Sequence, residues 1–175
     1  MLLIRPTEIA DASCVSACII DVARERHFLA STAGFSPVQT SEYLELIQKK
    51  GGVHFVALHR NDIVGWCDIA PAMFEGLTHV GHLGMGLLPR YRGQGWGKKL
   101  LAQALEAAFL KKIERIELEV FSSNQIAIRL YRSAGFHEEG QKRNGRKIDG
   151  RFEDILLFRL LREEWGSGAS CRISQ

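Results

Sequence analysis

His79-Val-Gly-His-Leu-Gly-Met-Gly-Leu-Leu-Pro89 runs without a break into Arg90-Tyr-Arg-Gly-Gln-Gly-Trp-Gly-Lys-Lys99 and then Leu100-Leu-Ala-Gln-Ala-Leu-Glu-Ala-Ala-Phe-Leu-Lys-Lys112. The first segment reads as a strand and the second as a glycine-dense turn. The third reads as a helix with Leu101, Ala104, Leu105 and Ala108 on one face. Arg92, Gly93, Gly95 and Gly97 fall where the first backbone amides of that helix have no partner. Such a turn can hold a phosphate or pyrophosphate. Glycines let the backbone approach the oxygens closely, and the helix N-terminus adds positive partial charge.

Spacing separates three kinds of glycine-rich turn. A dinucleotide fingerprint needs Gly-x-Gly-x-x-Gly; Gly93 and Gly95 supply the first two positions, but Lys98 stands at the third. A P-loop needs Gly-x-x-x-x-Gly-Lys-Ser/Thr; Gly97-Lys98 fits, but Arg92 occupies the first glycine position and Lys99 the hydroxyl position. The spacing that fits is Arg/Gln-x-x-Gly-x-Gly, with Arg92, Gly95 and Gly97.

Working outward, Leu2 to Arg5 reads as a first strand. A helix follows to about Arg26, capped by Thr7 or Asp11. His27 to Gln39 reads as a loop, and Ser41 opens a second helix that stops at Gly51-Gly52. Val53–His59 and Ile63–Ala70, joined across Arg60 to Asp62, predict an antiparallel hairpin. After the central stretch come a strand at Arg115–Phe121 and a short helix from Gln125 to Ala134, capped by Asn124 and stopped by Gly135. Strand, helix and strand from His82 to Phe121 predict a right-handed parallel crossover. Gly140 to Leu161 predicts two more strands around a Gly145–Gly150 loop. The expected fold is α/β: a mixed, mostly antiparallel sheet of about seven strands with about four helices. It forms one domain over residues 1–165, with a flexible tail over 166–175.

The 175 residues suit one domain with a real core. A net charge of +3 is compatible with an anionic ligand and too weak to imply nucleic acid. No apolar run approaches the roughly 20 residues a membrane helix needs, and the N-terminus does not resemble a signal peptide, so a cytoplasmic location is expected. Cys14, Cys18, Cys67 and Cys171 form no Cys-x-x-Cys pair, and no second ligand pair lies at zinc spacing, so reduced thiols and no metal are expected.

A second motif adds to the glycine turn. Leu118-Glu-Val-Phe-Ser-Ser-Asn-Gln-Ile-Ala-Ile-Arg-Leu-Tyr-Arg-Ser-Ala-Gly-Phe136 is similar almost throughout to the strand-to-helix segment of the GNAT superfamily of acetyl-CoA-dependent N-acetyltransferases. The Arg92–Gly97 turn, the opening Ile4-Arg-Pro-Thr7 and the hairpin residues Ile63-Val-Gly-Trp66 resemble the same family. The resemblance covers about residues 1 to 162.

That resemblance implies acetyl-CoA as the donor and a primary amine as the acceptor. It implies a splayed pair of parallel central strands with the pantetheine arm between them. Backbone groups of Met85, Gly86 and Leu87 would meet the pantetheine. Arg92, Gly93, Gln94, Gly95, Trp96, Gly97 and Lys98 would wrap the pyrophosphate, and Asn124 would lie beside the arm. Tyr131 is implied as the acid that protonates the leaving thiolate. Glu119, or water, is implied as the base, with Glu117 on the same strand face as an alternative. Asn124 also has a sufficient reading as a helix cap. Trp66, Asp68 and Phe28 either line the acceptor pocket or belong to the core. The cluster Lys142, Arg143, Arg146, Lys147 and Arg151 either grips an acidic group or is a solvated hairpin face. The acceptor is expected to be a small molecule such as an amino acid or polyamine. The alternatives are a protein amine or a non-catalytic acyl-CoA sensor. Neither nucleic acid nor membrane is an expected partner, and a homodimer is compatible with the family.

Overall fold

A computed structural model describes residues 2–167. Strands β1 (Leu2–Pro6), β2 (Val53–His59), β3 (Asp62–Pro71), β4 (Val80–Leu87), β5 (Arg115–Phe121), β6 (His137–Ile148) and β7 (Arg151–Leu161) form one sheet. Its order is β1-β2-β3-β4-β5-β7-β6, antiparallel throughout except between β4 and β5. The helices are α1 (Ala12–Arg24), α2 (Pro37–Lys49), α3 (Trp96–Leu110), α4 (Gln125–Ser133) and the short α5 (Arg162–Ser167). Trp165 of α5 packs near Phe109 of α3, with ring centroids 6.2 Å apart. Of the expected tail, residues 168–175 lie outside the described residues.

Each face of the sheet buries a helical stripe. On one face, Leu100, Leu101, Ala104, Leu105 and Ala108 of α3 and Ile128 and Tyr131 of α4 meet Phe55, Cys67, Ile69, Leu87, Ile116 and Leu118. On the other, Val15, Cys18, Ile19 and Val22 of α1 meet Val56, Ile63 and Trp66. The α3 residues expected on one face are all fully buried there.

Three local expectations are corrected. First, α2 begins earlier than Ser41. Ser36 and Gln39 make a reciprocal capping box: the Gln39 amide donates to Ser36 Oγ at 3.2 Å and the Ser36 amide to Gln39 Oε1 at 2.9 Å. Pro37 then occupies the first turn, where its missing N–H costs nothing. Second, Asp11 does not cap α1. The Arg5 guanidinium grips its carboxylate at 2.6 and 2.8 Å, and the carboxylate also accepts the Glu8 amide. Third, Gly145–Gly150 is not one loop. The chain reverses at Asp149–Gly150, both at positive φ, as tight hairpin turns require. The irregularity at Asn144 is a bulge inside β6, where the Asn144 amide donates to Asp154 at 2.7 Å.

Candidate active site

The parallel β4–β5 ladder is short. It pairs Val80 with Arg115, Gly81 with Ile116 and His82 with Glu117, and then stops. Yet β4 stays paired with β3 as far as Leu87, and β5 with β7 as far as Phe121. The two strands therefore diverge, leaving a gap inside the sheet that widens toward the glycine turn.

Ladder parity identifies the groups facing that gap. Val80 accepts from the Ala72 amide, and the Leu88 amide donates to Val64, both at 2.9 Å. The even-numbered residues of β4 thus turn their backbone groups toward β3, and Met85 and Leu87 turn theirs toward the gap. The Ser122 amide donates to Asp154, so on β5 the even positions serve β7, and Glu119 and Phe121 face the gap. The Gly86 backbone, expected beside Met85 and Leu87, points to β3. What Gly86 contributes is space: a Cβ there would meet the Trp66 ring at 2.4 Å.

The turn closes the wide end. Gly93 and Gly95 have φ near +72° and +81°, and Gly95 is the N-cap of α3 with no side-chain cap. The first-turn amides of Trp96, Gly97 and Lys98 are left for a ligand. A Cβ on Gly97 would touch Leu87 at 3.4 Å, Leu130 of α4 at 3.5 Å and Met85 at 3.8 Å, so turn, β4 and α4 meet at this residue. Arg92 braces the turn. Its Nε donates to the Leu87 carbonyl at 2.7 Å, its other nitrogens hold Glu25 at 2.5 and 2.7 Å, and it stacks 4.5 Å over Phe28. Gln94 donates to the Arg90 carbonyl at 2.7 Å, Lys99 lies over the Trp96 ring, and Lys98 is exposed.

Tyr131 approaches from the α3 face. Its ring is buried against Phe136 at 5.8 Å. Burial, and next the nearby Cys67 thiol, hold its phenol well above the usual tyrosine range, so it stays protonated at neutral pH. Asn124 caps α4, accepting the Ala127 amide at 3.2 Å.

Glu117 and Glu119 lie on the opposite face. Glu119 pairs with Lys142, both about half exposed. Glu117 accepts from Arg115 at 2.6 Å, with His82 at 3.8 Å. Tyr131 and Glu119 thus belong to opposite faces of the sheet, and the gap lies between them.

Two residues carry more than the sequence distinguished. Arg146 does not belong to a solvated face: it is buried, stacks 4.0 Å over Phe121 and pairs with Glu153. It also donates to the Arg26 and His27 carbonyls at 2.7 and 3.2 Å. With the Arg26–Asp149 pair at 2.7 Å, it ties the β6–β7 hairpin to the chain leaving α1. Asp68 is buried beside α2, accepting from the Tyr43 hydroxyl at 2.7 Å. Its one sequence signal is a lone acid inside the apolar run Ile63–Ala70. Among the described residues no group of three or more metal-ligating side chains comes together, and no helix is long and apolar enough to cross a membrane.

Comparison with known proteins agrees with this geometry. The model of the acetyltransferase (GNAT) family matches residues 20–136. The SPbeta prophage-derived uncharacterized N-acetyltransferase YokL of Bacillus subtilis is 30% identical over 126 residues, covering 71% of this chain and 70% of that protein. The L-amino acid N-acetyltransferase AaaT of Escherichia coli is 30% identical over 110 residues, 59% of this chain and 68% of that protein. The crystal structure of a GNAT-family acetyltransferase from Streptococcus pneumoniae superposes with a TM-score of 0.87 at 29% identity, covering 92% of this chain and 99% of that one. The gapped sheet, the Arg92–Gly97 turn and a family match over well more than half of its length agree: the chain belongs to the acetyltransferase (GNAT) family and is an acetyl-CoA-dependent N-acetyltransferase.

Proposed function

We propose that the protein transfers the acetyl group of acetyl-CoA to a primary amine of a small molecule, in a complex that holds both at once. The carrying observation is the gap between β4 and β5. It exposes unpaired backbone groups of Met85 and the Leu87 N–H beside the free amides at the start of α3. A buried strand edge needs partners, and an extended chain with amide groups of its own supplies them. The residues therefore fit acetyl-CoA, which brings an acetyl group activated as a thioester.

The chain's own groups divide the work. Trp96, Gly97 and Lys98 offer amides to the pyrophosphate, with Gly93, Gln94 and Gly95 shaping the turn and Arg92 bracing it. The Leu87 carbonyl is taken by Arg92, so its N–H remains to polarise the acetyl carbonyl. Tyr131, kept protonated, gives its proton to the departing sulfur. Asn124 fixes the first turn of α4 and hence the helix that carries Tyr131. Glu119, half exposed and bound to Lys142, serves proton exchange with water.

We take the acceptor to be a small molecule; the Arg146 and Arg26–Asp149 contacts, which tie the β6–β7 hairpin to the chain leaving α1, are compatible with that. The AaaT relative, named for acetylating L-amino acids, supports the same class. The free thiols of Cys14, Cys18 and Cys67 suit the cytoplasmic location included in this proposal. The test is thiol release from acetyl-CoA across amino acids, polyamines and N-terminal peptides. Release with a small amine, matched by its acetylated product in mass spectrometry, is expected. Release with peptides alone would instead indicate a protein acceptor. Tight coenzyme binding with no release for any amine would indicate a sensor.

A further inference from the structure

We propose that Asp68, held by Tyr43 over Gly84 at the edge of the gap, receives the acceptor's ammonium group and takes its proton. This rests on the reading of the protein as an amine acetyltransferase, and adds the residue that engages the amine.

Position comes first. Asp68 on β3 is paired in register with Gly84 on β4. A Cβ on Gly84 would lie 3.0 Å from Asp68 Oδ1, so the carboxylate leans across β4 over a residue with no side chain. Gly86, next along the same face, is covered by Trp66 in the same way. Beside the gap, this face of β4 therefore presents groups borrowed from β3. Met85, whose backbone faces the gap, lies between the two glycines.

Chemistry comes second. Asp68 is buried, and none of the ion pairs among the described residues gives it a cation. Glu117 and Glu119 each already hold one, Arg115 and Lys142. A buried carboxylate without a cation is costly, and a cationic ligand would relieve that cost. Around it, Tyr43 of α2 donates at 2.7 Å. His54 lies opposite on β2, bound to Thr7 at 2.7 Å and kept neutral by burial, with its pKa lowered to about 4. His82 stands on β4 one position beyond Leu83, facing Glu117. Cys67, on the opposite face, is held as a thiol by burial. No fixed positive side chain is paired with it.

Burial raises the Asp68 pKa to about 7, while the Tyr43 hydrogen bond pulls it down. A carboxylate in that range accepts a proton from an α-ammonium (pKa about 7.7–8.0) far more readily than from a lysine-type ammonium at about 10.4. The step balances. R–NH3+ and the Asp68 carboxylate become R–NH2 and the carboxylic acid. As the C–N bond forms and the C–S bond breaks, the second surplus proton on nitrogen replaces the one Tyr131 gives to sulfur. Asp68 then releases its proton to water.

The test compares wild type, Asp68→Asn and Tyr43→Phe in the full chain. Readouts are kcat/KM against pH, coenzyme A affinity, and the Asp68 carboxyl carbon by NMR with coenzyme A bound. Wild-type kcat/KM should rise with pH through an acid limb near 7. Asp68→Asn should lose that limb and about 100-fold in kcat/KM at pH 7, with coenzyme A affinity within about twofold. Tyr43→Phe removes a bond that favours the carboxylate, so the limb should move to higher pH. Adding an amino acid, ethylamine or a polyamine to the coenzyme A complex should move the carbon's titration midpoint downward for at least one of them. The inference is overturned if Asp68→Asn stays within about threefold of wild type with its limb in place. It is equally overturned if Tyr43→Phe leaves the limb unmoved, the result that decides should Asp68→Asn fail to fold. If wild type releases no thiol with any amine, the parent reading fails instead. The carbon titration then decides the inference alone: no midpoint shift with any amine overturns it.

Discussion

In the proposed mechanism Tyr131 is the acid, and the burial of its ring is what suits it to that role. Burial raises the phenol's pKa, so it keeps its proton at neutral pH. The same dry surroundings that disfavour a tyrosinate also disfavour a free thiolate, so the proton is shared as charge builds on the departing sulfur. Tyr131→Phe should lower kcat by about 10²-fold or more while coenzyme A affinity changes less than about twofold, read by thiol release and calorimetry. Unchanged turnover would remove Tyr131 from the chemistry. Glu119→Gln, at an exposed ion pair, should cost less than about tenfold and keep the acidic limb of the pH–rate profile. Loss of that limb would make Glu119 the base. At this scale the sequence was unevenly legible. Tyr131 and Asn124 sit in a local motif, Leu118 to Phe136, whose resemblance to the family singles them out. The burial of Asp68 and Arg146 is set by Tyr43, Arg26 and His27, which are distant in the chain, and no local pattern announces it.

Among the elements, β4 and the turn after it carry the proposed site. Gly95 begins α3 at φ near +81°, a conformation that costs a residue with a Cβ about 1–2 kcal/mol. Gly95→Ala should shift the α3 start and weaken coenzyme A binding about tenfold, measured by calorimetry. Unaltered affinity would separate the turn from the pyrophosphate. The strands and the glycine turn were legible because each is built from short-range pattern. The start of α2 is hard to read because the Ser36–Gln39 box lies in a stretch that otherwise reads as loop. The last hairpin is ambiguous in sequence because Gly145 and Gly150 are both turn formers, and only Asp149–Gly150 takes the turn geometry.

For the whole molecule, two buried titrating groups pull stability in opposite directions as pH falls. His54 has a pKa of about 4 folded against 6.5 unfolded. The unfolded chain therefore binds the proton first, and stability drops from pH 6.5 to 4, by roughly 3 kcal/mol at about 1.4 per unit. Asp68 at about 7 against 3.8 does the reverse, binding its proton first in the folded state, so stability rises as pH falls from 7 toward 3.8. Asp68→Asn should accordingly be at least as stable as wild type at pH 8 and lose stability more steeply on acidification, by thermal unfolding across pH. Parallel curves would contradict the Asp68 environment. The β2–β3 hairpin and the parallel crossover followed from the order of strands and helices. The gap was implied only by family resemblance, because a ladder that stops after His82–Glu117 leaves no mark in composition or periodicity. That gap, with the backbone of Met85 and Leu87 open to the donor, is the centre of the account. Amide hydrogen exchange with and without coenzyme A tests it most directly. Met85 and Leu87 should exchange markedly more slowly with coenzyme bound, while Gly84 and Gly86, already bonded to β3, change little. Slowing at Gly84 and Gly86 instead, or no change at Met85 and Leu87, would contradict it.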